Sequence, residues 1–422
     1  MRIILLSALL FLAGCASTGI VDDEAGPWDH TPDTERFTQS LGSEISQLQP
    51  GGFADIQGFK QKWFAPWNLS KAPHSFDEIH WARSFARVTS YDRNQIPNSQ
   101  AHWDSVLGNL NQSGYAKLMQ PAIAVQSVPL RALPTDVGAF KDASQPGEGY
   151  PFDYLQNAHL KLNTPLLLLN YSIDGRWALV QTPWLASWVR SEAIALIDDG
   201  LRQQLQGMSL SVVIEENDNI PELRLGTLLF NTGGQLQRAS NNGTGGATLV
   251  PAIANSGQTS SFPLPYTRSN VERVANQLIG EGYGWGEIDN MRDCSAMTRD
   301  FFTIFGRFLP RNSKAQAREG SVIEVANFSR QSKRDLLRSQ GIPFQTLIYL
   351  PGHIMLYIGE RDGELIAMHN VWGVKTSEYG QVGRWVMGRG VITSLEPGRH
   401  HPGYVRSQSS LLEKATRFAT IK

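Results

Sequence analysis

The sequence predicts a multidomain protein: a mostly helical N-terminal region, two small all-β barrels, and an α+β domain at the C-terminal end. Three observations predict it. The chain has 422 residues, more than a single hydrophobic core organises. The spacing of apolar residues is helical before residue 120, changes to short runs between turn residues up to 255, and becomes helices followed by strands beyond. Hydrophobic residues make up 41% and charged residues 18%, which places the chain among folded sequences. A formal charge of −1, without a run of Lys or Arg, excludes a nucleic-acid footprint and a basic membrane patch.

Residues 1–14 open on Met1 and Arg2, continue as an apolar run from Ile3 to Leu12, and close on Ala13 and Gly14 before Cys15. The run is too short to span a bilayer. It resembles a bacterial lipoprotein signal, which implies cleavage before Cys15 and acyl chains on that cysteine. With Ala16 in place of an Asp, the anchor is expected in an outer membrane, facing the periplasm. The chain has two cysteines, so lipidation of Cys15 leaves Cys294 without a partner in the molecule. A lone thiol in an oxidising compartment is a liability unless its reactivity is used.

Region 15–120 begins as a polar tether and becomes a helical clip. Ser75 and Glu78 form a capping box ahead of Ile79, Ala82, Phe85 and Ala86 at helical spacing, which Trp103, Val106, Leu107 and Leu110 repeat. The aromatic stretch 59–67, interrupted by Pro66, reads as an irregular clip against a neighbouring domain. Region 121–198 is the first barrel, with strands at 122–128, 165–170 and 177–182 and a hairpin at Asp174-Gly175. Region 199–255 is the second, with strands at 226–230, 235–239 and 248–252; residues 255–261 read as a polar linker.

Region 256–422 opens with a capping box at Ser269 and Glu272, followed by a helix that buries Val271, Val274, Ala275 and Leu278 and stops at Gly280. Cys294 begins a second helix, with Met297, Phe301, Ile304 and Phe305 inward and Gly306 as its end. Strands follow at 353–359, 365–370 and 389–395. A helix that starts on Cys, followed by antiparallel strands that carry His, is the α+β order of papain-like enzymes.

An isolated thiol is mostly protonated at neutral pH, and only its thiolate attacks a carbonyl well. A helix N-terminus and a neighbouring imidazolium would lower its pKa, and the same N–H groups would form an oxyanion hole. Activity is therefore expected to need a thiolate–imidazolium pair and to fall when either partner loses its charge. Of nine histidines, His353 and His369 lie in the strands of the final domain. An odd loop at Arg361-Asp362-Gly363, or an equivalent bulge, would pair Met355 with His369 and set both imidazoles on one face. His353 is then the base and His369 the group that orients it.

Tyr283-Gly284-Trp285-Gly286, Asp293-Cys294-Ser295, 351–359 and His369-Asn370 together resemble the NlpC family of bacterial cell-wall cysteine peptidases. The phrases 128–135, 151–156 and 174–177 resemble the bacterial SH3 domain that precedes such peptidases. The resemblance implies Cys294 as nucleophile, His353 as base, His369 as third polar residue, Tyr283 near the oxyanion, and Asp293 with Ser295 at the substrate. It implies cleavage between γ-D-glutamate and a diamino acid, usually meso-diaminopimelate, in peptidoglycan stem peptides. A preference for a free N-terminal L-alanine would follow from an acidic group of the first SH3-like domain, with Asp153 and Tyr154 as candidates. Two positions depart from the family pattern: Ala296 and Glu287 stand where Gly is usual, and both are expected to narrow the cleft. No cofactor, metal site or nucleic-acid partner is expected. The expected partners are stem peptides and, through the lipid, a membrane, with the protein a monomer. Competing readings are a papain-like acyltransferase or transglutaminase, and a non-enzymatic wall-binding lipoprotein.

Overall fold

The computed structural model describes residues 37–51, 55–217 and 219–422, with the backbone of Glu24–Ala25. The leader 1–14, Cys15 and the start of the tether lie outside the described residues.

Residues 120–196 form a seven-stranded antiparallel sheet in the order 156–160, 128–131, 186–190, 177–181, 165–171, 120–124, 194–196. The Asp174-Gly175 hairpin is present, with Gly175 at φ 72°. The second set forms a five-stranded antiparallel sheet in the order 247–251, 235–241, 228–232, 209–213, 259–261. Here the expected polar linker is corrected. Thr259–Ser261 pairs with Ser209–Val213 as an edge strand, so the boundary expected at 255 cuts through the sheet. An exposed edge strand needs no apolar alternation, because its ladder is supplied by backbone groups.

The aromatic clip is also more regular than expected. Ile56–Trp63 is a helix capped by Asp55, and Pro66 sits in the opening turn of the 3₁₀ segment Ala65–Asn68, where its missing N–H is not needed. The clip ties the parts together: Phe59 packs on Phe262, Trp63 on Trp184, and Trp67 Nε1 donates to the Ala122 carbonyl at 2.8 Å. A single apolar cluster runs from Phe37 and Trp63 through Ile123 and Leu228 to Phe301 and Ile354. The Ser75 capping box forms as expected.

In the C-terminal domain the first helix, Arg268–Leu278, is capped by Thr267, two residues earlier than expected. The second, Cys294–Ile304, is buried along its whole length and lies against the strands His353–Arg361 and Glu364–Glu378. Those strands belong to a seven-stranded sheet in the order 24–25, 381–394, 364–378, 353–361, 346–350, 417–420, 321–324, antiparallel except at Glu24–Ala25.

Candidate active site

The candidate nucleophile, Cys294, is positioned by its helix cap. Asp293 accepts the Ala296 N–H at 2.8 Å, Ser295 Oγ at 3.0 Å and the Gly286 N–H at 3.1 Å. Arg311 grips that carboxylate through Nη1 at 3.1 Å and Nη2 at 2.8 Å, and donates to Ser295 Oγ at 2.8 Å. The first helical turn is thereby fixed, with Cys294 at the positive end of the dipole and the Ile354 and Ser295 N–H groups facing its sulfur.

The chain reaches Asp293 through the turn Trp285–Asn290, in which Glu287, Asp289 and Asn290 have left-handed φ of 64°, 53° and 60°. Such conformations are unfavourable for non-glycine residues and persist where surroundings enforce them. Asp289 accepts two bonds from Arg93 and one from Tyr150 Oη. Glu287, expected to narrow the cleft, instead turns inward to Arg299 at 2.7 Å and Arg311 at 2.9 Å. Burial would raise its pKa, but the two guanidiniums prevail and hold it at about 2. These contacts belong to a network in which Lys161, Arg224, Arg292, Arg299 and Arg311 face Glu216, Glu281, Glu287, Asp293 and Asp300, buried except at its half-buried edge of Arg224, Glu216 and Glu281. It joins both β-sheets to the helix that carries Cys294. At Gly286 a Cβ would lie 2.2 Å from the Gln156 carbonyl, so only glycine lets the SH3-side strand approach this turn.

The histidine pair forms through the bulge alternative. Arg361 pairs with Glu364 across a two-residue Asp362-Gly363 turn, which alone would reverse the parity. A register shift between Tyr357 and Gly359 restores it, placing Leu356 opposite Met368 and hence Met355 opposite His369. His353 Nε2 and His369 Nδ1 are 2.8 Å apart, and His369 Nε2 lies 2.8 Å from Thr393 Oγ1. Burial lowers the His353 pKa to about 3, with Lys414 adding to the effect, and pushes the Cys294 thiol up to about 12. His369 is held well below its ordinary value, chiefly by burial. The expected resting thiolate–imidazolium pair is therefore not what these environments favour. Burial favours the neutral thiol and the neutral imidazole instead.

A groove of about 410 Å³ exposes Cys294, Tyr283, Asp293, Ser295 and Arg311, and is walled by Trp81, Tyr154, Gln156, Asn157, Trp184 and Leu185. Tyr283 keeps its phenolic proton, since burial raises it well above its ordinary value. Tyr154 reaches the groove as expected, with its hydroxyl donating to Glu148 at 2.9 Å. Asp153 does not. It is 3% exposed, pairs with Arg131 at 2.7 Å and accepts the Ala139 and Leu155 N–H groups at 2.9 Å, so its oxygens are consumed inside the SH3-side domain. Sequence reasoning missed Arg311 and Thr393. Neither is marked by a local motif: Arg311 lies in a Pro-Arg-Asn-Ser bend and Thr393 in an ordinary strand.

Residues 280–382 match the NlpC/P60 family, 139–190 an SH3 domain of the SH3b1 type, and 4–115 the N-terminal NLPC_P60 stabilising domain. Probable endopeptidases of Corynebacterium glutamicum strains ATCC 13032 and R are 30% and 32% identical over 81 and 82 residues. That stretch is 19% of this chain and 39% and 38% of theirs, so the chain spans about two-fifths of the length of these relatives. An NlpC/P60 endopeptidase from Photobacterium damselae subsp. piscicida has the same fold, with a TM-score of 0.80 at 23% identity over 95% of this chain and 98% of that one. The C-terminal part of this chain is thus an NlpC/P60 domain, carried behind an SH3 domain and the family's N-terminal stabilising domain.

Proposed function

We propose that the protein is a cysteine peptidase that hydrolyses the bond between γ-D-glutamate and a diamino acid, meso-diaminopimelate, in peptidoglycan stem peptides. The observation that carries this reading is a thiol in the first turn of a buried helix, lining a groove, in a domain whose strands bring two imidazoles within hydrogen-bond distance of each other. Cys294 attacks the amide carbonyl while His353 takes the thiol proton, and N–H groups at the helix start with the Tyr283 hydroxyl receive the oxyanion. His353 then protonates the leaving amine, and water, activated by the same imidazole, releases the acyl group. A preference for a free amino end is supported by the wall that Trp81, Tyr154 and Trp184 place along the groove, which makes the restriction steric. With Asp153 committed to Arg131, that residue is no longer proposed to bind the ammonium.

The test uses soluble chain starting at Ala16, incubated with L-Ala-γ-D-Glu-meso-diaminopimelate, the same peptide blocked at its amino end, and Cys294→Ala as control. Release of L-Ala-γ-D-Glu from the free peptide alone supports both parts; equal cutting of both peptides removes the amino-end restriction. Transfer products formed with added amines, at the expense of hydrolysis, would favour the acyltransferase reading. Anchoring through Cys15 in the outer membrane is proposed on the leader pattern, and a Cys15→Ser chain recovered free in the periplasm supports it.

A further inference from the structure

The histidine pair does not end the hydrogen-bonded chain. Thr393, buried on the adjacent strand Gln381–Ser394, lies with its hydroxyl 2.8 Å from His369 Nε2 and 2.7 Å from the Ser394 carbonyl. A hydroxyl has one proton to give, and a carbonyl can only accept. The Thr393 proton therefore goes to Ser394, and Thr393 must accept from His369 Nε2–H. In a neutral His369 this leaves Nδ1 bare, so the 2.8 Å contact is donated by His353 Nε2–H. A neutral His353 that carries its proton on Nε2 has its lone pair on Nδ1, the ring nitrogen left to accept a proton.

We propose that Thr393 is a positioning residue that sets the tautomers of both histidines, so that His353 rests as a base. The assignment accounts for how a neutral imidazole in the third position can work. His369 has no charge with which to fix the His353 ring, and without an outer acceptor it could carry its proton on either nitrogen. With the proton on Nδ1, His369 would turn a donor towards His353 and force that ring into the tautomer whose Nδ1–H cannot accept from a thiol. Register places Thr393 within reach, because the pairs Ala367–Thr393 and His369–Val391 bring the two strands side by side. Outer partners that orient metal-bound imidazoles change affinity or activity by roughly 10- to 100-fold, and an effect of that order is expected here.

This inference rests on the peptidase reading for its kinetic consequence, but its tautomers can be read without substrate. The experiment records long-range ¹⁵N–¹H spectra of histidine-labelled chain starting at Ala16, with His353→Gln and His369→Gln used for assignment, and compares wild type, Thr393→Val and Thr393→Ser. Expected are protonated Nε2 and bare Nδ1 on both rings in wild type and Thr393→Ser. A mixed His369 tautomer is expected in Thr393→Val, with kcat on the stem peptide lowered roughly 10- to 100-fold at unchanged KM and restored by Thr393→Ser. Wild-type spectra with Nδ1–H on His369 overturn the proposal, as does a Thr393→Val protein with wild-type tautomers and kcat. If Thr393→Val fails to fold, the wild-type and Thr393→Ser spectra decide. A wild type inert on the stem peptide but with both protons on Nε2 sinks the peptidase reading and upholds this one.

Discussion

Replacing Glu287 by Gln removes one carboxylate from the buried part of a set in which five cations face five anions. Arg299 would lose the charge that meets it at 2.7 Å, and Arg311 the one at 2.9 Å, while both guanidiniums stay buried. The amide is isosteric, so packing is retained and the effect is electrostatic. Breaking one side of a buried ion pair costs about 3 to 5 kcal/mol where the remaining charge is left uncompensated; Arg299 keeps Asp300 and Arg311 keeps Asp293, so a cost at the lower end, about 3 kcal/mol, is expected. The control is Asp136→Asn, whose carboxylate is 63% exposed and pairs with Arg190; a pair of this kind contributes about 0 to 1 kcal/mol. In chain starting at Ala16, unfolding in increasing urea is followed by tryptophan fluorescence, to which Trp285, Trp372 and Trp385 of the C-terminal domain contribute. With a slope near 3 kcal/mol/M, the Glu287→Gln midpoint should fall by roughly 1 M or more and the Asp136→Asn midpoint by a few tenths. The folded variant should also lose kcat, since Arg311 holds the Asp293 cap as well. Equal midpoints for the two variants would refute the view that the network holds the nucleophile helix in place.

Three further outcomes are expected. With burial holding the Cys294 thiol up at about 12, the 240 nm thiolate absorbance that distinguishes wild type from Cys294→Ala should be missing at neutral pH and emerge only under alkali; a step below pH 7 would restore the resting ion pair. Burial also depresses His80 and His159 to about 4 and His353 to about 3, so the unfolded chain takes up their protons first. The stability they contribute is complete above pH 6.5 and is lost towards pH 4 and below, each adding about 1.4 kcal/mol per pH unit, and urea midpoints at pH 7 and 5 that coincide would contradict this. Gly286→Ala drives a Cβ to 2.2 Å from the Gln156 carbonyl at a φ of 64°, and the displaced turn carries Asp293 with it. A loss in kcat/KM of about 100-fold is expected, and wild-type kinetics would show that the turn tolerates the shift.

The sequence by itself determined what is local. The cap at Ser75, the hairpin turn at Asp174-Gly175, the inward face of the Cys294 helix, and the strands carrying His353 and His369 are written in neighbouring residues, through periodicity and turn chemistry. Even the shared face of the two histidines was legible, as a demand for an odd residue somewhere in the hairpin. Tertiary structure alone decided where that residue goes: a bulge at 357–359 and not a longer loop, because either device satisfies the same parity. It also decided the fate of the charges. Asp153 looked free in a Pro-Phe-Asp-Tyr turn but is consumed by Arg131, and Glu287 looked like an obstruction but closes a network with Arg299 and Arg311. The direction of the Cys294 and His353 pKa shifts depended in the same way on burial, which no window of sequence contains. Thr393 is the clearest instance, since a threonine in a strand is ordinary until the neighbouring strand's register sets it beside His369 and the Ser394 carbonyl takes its one proton.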